Sequence, residues 1–341
     1  MTSPRYADAG VDLEAADAAK TRIGELVAGT RTALSAGTIG AFGGMIRLPA
    51  DVTRPVLVMS TDGVGTKVLI AQQVGRLDTV GEDLVNHSVN DILVHGARPL
   101  AFMDYVAGHR LTPAAIEAIV AGVARGCRHH GMSLAGGETA QMPGLYTAGT
   151  FDLAGTIVGV VDEAAAIHGD RIAPGDTLIA YASTGLHTNG YTLARRVLLD
   201  EMQLSLASPL PGTSVPLVDT LLAVHQSYDA AIRPVLGLLH GLAHITGGGI
   251  GGNLIRVLPA ECSARIDAAS WQWPIVFRTI ATGGDITVAE MRDVFNLGIG
   301  MIAVVPPEAA PKVRAAAASA GVATWDCGTI ERGRRAVEFV S

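Results

Sequence analysis

Five stretches of this 341-residue chain hold residue types able to do chemistry. The first is the turn Thr61-Asp62-Gly63-Val64-Gly65-Thr66-Lys67. Gly63 and Gly65 let backbone amides face an anion, and Lys67 adds a point charge. Asp62 follows the apolar run Val56-Leu57-Val58-Met59, so it sits at a strand end where it can hold Mg²⁺. The spacing is not that of a Walker A loop. A plain strand–helix turn is the alternative reading.

The second stretch is a helix expected over about Thr79 to His95. At 100° per residue, His87, Ser88, Asp91 and His95 share one side, and Val85, Val89 and Ile92 the other. The i, i+4 spacing of His87, Asp91 and His95 suits metal ligation; a solvated face is the alternative. Asp104 interrupts the apolar strand Leu100 to Val106 and is a candidate to face a ligand. In the third stretch, Glu138 and Thr139 follow Gly136-Gly137 after the short strand Ser133-Leu134-Ala135. That carboxylate is placed for a metal or a substrate amine, or simply opens a helix.

The fourth stretch, Ser183-Thr184-Gly185-Leu186-His187-Thr188-Asn189-Gly190, is dense in hydroxyls at a helix start. Free N–H groups and the helix dipole favour a phosphate there. His187 can contact that phosphate or move a proton, or it can be structural. The fifth, Gly247 to Gly252, satisfies GxGxxG, with Asp267 about twenty residues on. It reads as an anion-binding loop or, alternatively, as a dinucleotide fingerprint.

The elements that position these stretches alternate between strand and helix. Residues 1–50 read as a mobile entry segment with a polar helix over about Leu13 to Leu34. Thr112-Pro113 is an N-cap and N1 pair opening a helix through Cys127, with Gly131 at C′. Phe151 to Val161 closes the first half. A boundary near Asp162 to Pro174 leads to a second α/β half, with helices expected over Thr188 to Leu199 and Leu217 to His240. The expected fold class is α/β (mixed α+β). The domains are 1–165 and 166–341.

Composition bounds the function. At roughly 150 residues per domain, the length gives two domains. Lys+Arg 25 against Asp+Glu 32 leaves a net charge of −7, which argues against nucleic acid as a partner. Hydrophobic residues at 49% supply a core. Glycine, 41 of 341, exceeds the usual ~7%, as expected for close backbone approach to ligands. Cys127, Cys262 and Cys327 form no CxxC pair, which fits a reducing, cytoplasmic setting. The start has no apolar h-region. The longest uncharged apolar run, Leu297 to Pro307, is far short of the ~20 residues of a membrane span.

Taken together, these stretches resemble the phosphoribosylformylglycinamidine cyclo-ligase (aminoimidazole ribonucleotide synthetase) family. The motifs, in family order, are YADAGVD, STDGVGTK, VNDILVHGARP, FMDY, LAGGETAQMPG, STGLHTNGYTLAR, HITGGGIGGNLIRVLP, SWQWP and FNLGIGM. They run from Tyr6 to Met301. The entry loop TIGAFGGM is less Gly-dense than the family's, Gln141 stands where an acid is usual, and Asn86-His87 stands in a stretch often apolar. The resemblance implies ATP-dependent ring closure of formylglycinamidine ribonucleotide to aminoimidazole ribonucleotide, with ADP and phosphate, in purine biosynthesis. It implies ATP and Mg²⁺, with Asp62, Asp91 and Glu138 toward the metal and Lys67 on a phosphate. Gly63, Gly65, Thr66, Thr139, Asn189, Gly247, Gly248 and Gly249 fall to nucleotide or phosphate. His187, Lys67 and Asp62 fall to catalysis. It also implies a homodimer in which the N-terminal domain, carrying ATP, forms an intersubunit β-barrel.

Overall fold

The computed structural model describes residues 13–340, with side chains from residue 21 onward. The YADAGVD motif therefore lies outside the described residues. The chain divides into two units: residues up to Ile92 with Ala97–Glu163, and Leu93–Gly96 with the chain from Ala164. Each is a β-sheet with helices, so both are mixed α/β.

The first unit opens with α1 (Leu13–Ala28) and a small ladder of β1 (Ser35–Ala36) and β2 (Met45–Ile46). The helix is shorter than expected, and the segment after it is tied down. Thr30 Oγ1 accepts from the Leu134 N–H at 2.9 Å, and Ser35 Oγ lies 2.7 Å from Ser133 Oγ. The main sheet is ordered β3-β6-β4-β5, from β3 (Pro55–Gly63), β4 (Arg98–Gly108), β5 (Ser133–Gln141) and β6 (Phe151–Asp162). β6 runs antiparallel to both β3 and β4, and β5 is parallel to β4. Strand β3 is therefore an edge.

Three further helices serve this sheet: α2 (Lys67–Val74), α3 (Asp78–Leu93) and α4 (Pro113–His129). Thr112 caps α4 as expected, its Oγ1 accepting from the Ala115 N–H at 3.2 Å. Helices α3 and α4 cross at glycines. A Cβ on Gly81 would meet the Ile119 carbonyl at 2.2 Å, and one on Gly122 the Asp78 carbonyl at 2.0 Å. No side chain fits between these backbones. The close crossing presses α3 inward, so its polar face is buried: Asp83, Asn86, His87, Ser88 and Asn90 all lie inside. Of the four residues of the expected polar face, His87 and Ser88 are buried, Asp91 is partly exposed and His95 is exposed, so the solvated-face reading holds only toward the C-terminal end.

The second unit holds a six-stranded sheet ordered β12-β9-β11-β7-β10-β8. The strands are β7 (Thr177–Ala182), β8 (Gly241–His244), β9 (Cys262–Asp267), β10 (Ile299–Val305), β11 (Thr324–Arg332) and β12 (Ala336–Val340). Every pairing is antiparallel except β9 with β12. The period-2 alternation of β10 serves two cores. Met301, Ala303 and Val305 pack on one face, and Ile302 and Val304 on the other.

The helices of this unit are α5 (Tyr191–Arg195), α6 (Leu217–Leu221), α7 (Asp229–Ile232), α8 (Gly249–Leu254), α9 (Ile275–Gly283), α10 (Val288–Val294) and α11 (Ala310–Ser319). The single helix expected over Leu217 to His240 is broken. Residues 223–228 leave the helix, and Arg233–Leu238 is a 3₁₀ turn. Pro234 lacks the N–H an α-helix needs there. The helix expected over Thr188 to Leu199 is only Tyr191–Arg195, running on into a π turn, Arg196–Glu201. Among the described residues no helix is long and apolar enough to cross a membrane.

Candidate functional site

In the first unit, β3 delivers Asp62 and α3 delivers His87 and Asp91 to one point. His87 Nε2 is 2.8 Å from Asp62 Oδ2 and 3.5 Å from Asp91 Oδ2. Ser60 donates to Asp91 Oδ2 at 3.1 Å, and the Gly63 N–H donates to Asp62 Oδ1 at 2.8 Å. Burial opposes a charged His87, yet the bonds and charges of Asp62 and Asp91 push it up to about 10. Burial likewise raises Asp62, but the His87 bond and charge outweigh it and leave that carboxyl lowered. The ring is thus an imidazolium between two carboxylates at neutral pH.

This changes the helix reading. His87 is the cation that balances the carboxylates rather than a neutral ligand beside them. His95 belongs to the second unit, where its Nδ1 is 3.4 Å from the Ile167 carbonyl. The i, i+4 trio therefore does not act as one ligand set. Asp62 and Asp91 remain half-exposed and partly exposed, at 44% and 22% of the side chain. Two carboxylates with a nearby hydroxyl are hard oxygen donors, which fits Mg²⁺ shared with substrate phosphates.

Lys67 requires a correction. It was expected to face a phosphate. Its Nζ instead lies 2.8 Å from Asp83 Oδ2, with both side chains fully buried. Burial pulls the ammonium down and the Asp83 charge opposes that. An ammonium held this way anchors the turn to α3. The turn amides are also partly engaged: Gly63 bonds Asp62, and the Val64 N–H donates to the Leu153 carbonyl at 3.1 Å. Gly65 takes φ +67°, and Thr66 caps α2 without a side-chain bond.

A separate cavity of about 500 Å³ opens beside β4 and β5 in the same unit, lined also by the entry loop TIGAFGGM. Ile39, Phe42, Asp104, Gly136, Glu138 and Thr139 help line it. Asp62 and Asp91 are not among its lining residues. Glu138 and Thr139 lie within β5 rather than after a short strand, and Glu138 pairs with Tyr105 while Gly137 pairs with Asp104, so the Glu138 and Asp104 side chains leave opposite faces of the sheet. Asp104 pairs in register with Gly137, where a Cβ would sit 2.3 Å from Asp104 Oδ1. A glycine there leaves room for the carboxylate. Burial pushes Asp104 up to about 6 against the pull of its own backbone N–H.

In the second unit, β7 leads into the Ser183–Gly190 loop. His187 has φ +61°, in the left-handed region. Its Nε2 accepts from the Thr184 N–H at 3.2 Å. Asn296 fastens the same loop, donating to the Gly185 carbonyl at 2.8 Å and accepting from Ser183 Oγ at 3.1 Å. The Gly247–Gly252 loop lies alongside, since a Cβ on Gly247 would be 3.4 Å from Asn189 Oδ1.

Gly248 and Gly249 take φ +91° and +63°, and a Cβ on Gly249 would strike the Arg292 carbonyl. Asn253 Nδ2 donates to the Thr246, Gly247 and Gly249 carbonyls. The dinucleotide reading fails on topology. That fingerprint needs parallel strands joined by a crossover helix, whereas β8 pairs antiparallel with β10.

Sequence reasoning missed Asp83, Asn253, Asn296, His225 and His244 as organising residues. Asn296 lies inside the quoted motif FNLGIGM, His244 and Asn253 inside HITGGGIGGNLIRVLP, and Trp271 of SWQWP donates to the Leu297 carbonyl at 2.9 Å. His225 falls inside the helix expected over Leu217 to His240, where no neighbouring polar motif marks it for chemistry.

Comparison with known proteins defines the class first. The family model for the N-terminal domain of AIR synthase related protein matches residues 17–161, and that for its C-terminal domain matches 173–341. Solved structures share the fold. Thiamine-monophosphate kinase from Stenotrophomonas maltophilia has a TM-score of 0.69 at 17% identity, covering 95% of this chain and 94% of that one. Hydrogenase maturation protein HypE, solved in complex with ATP, has 0.65 at 19%, covering 92% and 89%. Closer in sequence are the phosphoribosylformylglycinamidine cyclo-ligases of Sorangium cellulosum and Myxococcus xanthus. Both are 46% identical, the first over 96% of this chain and 95% of the relative, the second over 96% of each. The chain belongs to the phosphoribosylformylglycinamidine cyclo-ligase family, ligases of purine biosynthesis.

Proposed function

We propose that this chain closes the imidazole ring of aminoimidazole ribonucleotide at the expense of ATP. The formyl amide oxygen of formylglycinamidine ribonucleotide is phosphorylated by ATP. The amidine-side nitrogen then attacks the activated carbon, and phosphate leaves with ADP as co-product. The observation that carries this reading is the 46% identity to a cyclo-ligase over nearly the whole of both chains.

The division of labour follows the units. Residues 1–165 form the ATP-binding and dimerisation domain, and residues 166–341 the C-terminal α/β domain. Asp62 and Asp91 hold Mg²⁺ with the nucleotide, supported by their exposed oxygen donors. When bound, that ion neutralises charge on the transferring phosphoryl group. Glu138 and Thr139 meet the nucleotide from the cavity they line. Gly63, Gly65 and Thr66 shape the turn beside Asp62. Lys67 acts indirectly, as the buried anchor of that turn. His187 and Asn189 face the substrate amide or the transferred phosphoryl group, with Gly247, Gly248 and Gly249 shaping the neighbouring loop. ATP use is supported by the fold shared with HypE, which was solved with ATP.

A homodimer is supported by edge strand β3, which exposes Val56, Leu57 and Met59 at 40%, 46% and 66%. An edge of this kind favours pairing with a second copy, as in a shared barrel. Three buried free cysteines suit a reducing cytoplasm. The test is incubation with the amidine ribonucleotide and MgATP. Aminoimidazole should appear with equimolar ADP and phosphate. A product that retains the phosphoryl group would make the chain a kinase of the same fold.

A further inference from the structure

Three imidazoles of the second unit, His187, His225 and His244, bring ring nitrogens within 4.8 Å of one another, and all three are buried. His225 comes from the broken segment between α6 and α7, and His244 ends β8. Their geometry separates two readings, a shared metal ion and a mechanical support.

Two imidazoles on one tetrahedral ion, with nitrogens about 2.1 Å from it, hold their ring centroids roughly 5 Å apart. The His187 and His225 rings are stacked instead, 4.0 Å between centroids and 25° between planes. Faces that lie flat on each other do not aim their nitrogens at a common point. The Nε2 lone pair of His187 is moreover already taken by the Thr184 N–H.

The support reading accounts for the ring stacking and the bonds of His225. His187 holds a backbone conformation that non-glycine residues adopt only when their surroundings enforce it. His225 grips two successive residues at that strained φ. It stacks on the ring of residue 187, and its Nδ1 lies 3.3 Å from the Oγ1 of Thr188. His225 is in turn held by His244, Nε2 to Nε2 at 3.1 Å, with one ring donating and the other accepting. β10 completes the enclosure: a Cβ on Gly300 would sit 2.5 Å from His187 Cε1 and 2.0 Å from Tyr228 Oη.

We infer that His225 is a positioning residue, the platform that holds His187 in its strained conformation, and that its bond to His244 fixes the platform. This rests on the reading of His187 as a group acting on the substrate. Stacking carries the effect, so an aromatic ring replaces it and a small side chain does not.

The test compares His225→Ala, His225→Phe, His187→Ala and the double variant His187→Ala/His225→Ala in the full-length protein. Kinetics with amidine ribonucleotide and MgATP, melting curves and histidine ring nuclear magnetic resonance are read together. Misplacement of a catalytic group costs up to ~10²-fold. His225→Ala should therefore lower kcat by about 10- to 100-fold, with the KM for ATP within about twofold. His225→Phe should recover most of that loss. The double variant should be no slower than His187→Ala, because His225 acts through His187. Losses that multiply in the double variant, or a wild-type kcat for His225→Ala beside a slow His187→Ala, overturn the inference. Should His187→Ala keep full kcat, the catalytic reading of His187 fails, and the ring spectrum decides the platform alone. A His187 resonance that moves in His225→Ala and stays in His225→Phe supports it; one unmoved by His225→Ala overturns it. Stoichiometric Zn²⁺ binding that His225→Ala abolishes also overturns it.

Discussion

His87 and His187 are both buried imidazoles close to proposed chemistry, and they are held by opposite means. His87 lies between the carboxylates of Asp62 and Asp91, which push it up to about 10. Charge governs it, and it works as a fixed cation. His187 is met by another imidazole, a backbone N–H and the ring of Tyr228. Stacking and hydrogen bonding govern it, and what they control is its orientation. The contrast shows that burying a histidine does not by itself set its role. Neighbouring charge decides whether the ring is a counter-ion, while neutral contacts decide where its nitrogens point.

The largest expected effect breaks the comparison on the His187 side. His187→Ala should lower kcat by ~10²–10⁴-fold with ATP binding nearly unchanged, since positioning and proton-transfer roles act in the transition state. Steady-state kinetics paired with a melting curve decide: a less stable protein with near-normal kcat would leave His187 as loop packing. On the other side, Lys67→Met should destabilise the fold by about 3–5 kcal/mol, because it strips the ammonium from a fully buried Asp83. Urea titration measures this, and Lys67→Met/Asp83→Leu should regain much of the loss. A single variant as stable as the parent would contradict the anchoring role.

Asp62→Asn should reduce Mg²⁺-dependent turnover by about 10²–10³-fold, the usual scale for a lost charge-stabilising group. The fold should survive, because Asp62 is half-exposed. Unchanged MgATP kinetics would remove β3 from the mechanism.

The smallest effect sharpens the cavity. Asp104 is raised to about 6 from 3.8. Stability from its protonated form is complete below pH 3.8 and is lost as pH rises through 6. The full loss is at most about 3 kcal/mol. Asp104→Asn should flatten that part of the pH–stability curve between pH 4 and 7. Denaturation curves at several pH values in that window test this; parallel curves for parent and variant would refute the shift.

Much of the local order was legible in the chain. The Thr112 cap of α4 and the strand–turn–helix opening after β3 follow from spacing and side-chain chemistry alone. The helix from Leu217 was overextended because apolar periodicity continues through residues that tertiary packing pulls inward, His225 among them. The GxGxxG string looked like a dinucleotide loop because a regular expression has no strand direction.

What the sequence by itself determined is the family, the two-part α/β organisation and the short list of polar residues worth testing. These rest on local spacing and on which residue types stand together along the chain. Only the tertiary structure decided which of those residues meet. It buried Lys67 against Asp83, set His87 between Asp62 and Asp91, placed Asp104 against Gly137, and stacked His225 on His187. The physical reason is that an ammonium, a carboxylate or an imidazole takes its role from the charges and donors within a few ångströms. Those neighbours come from strands and helices that are far apart in the chain and brought together by the sheet.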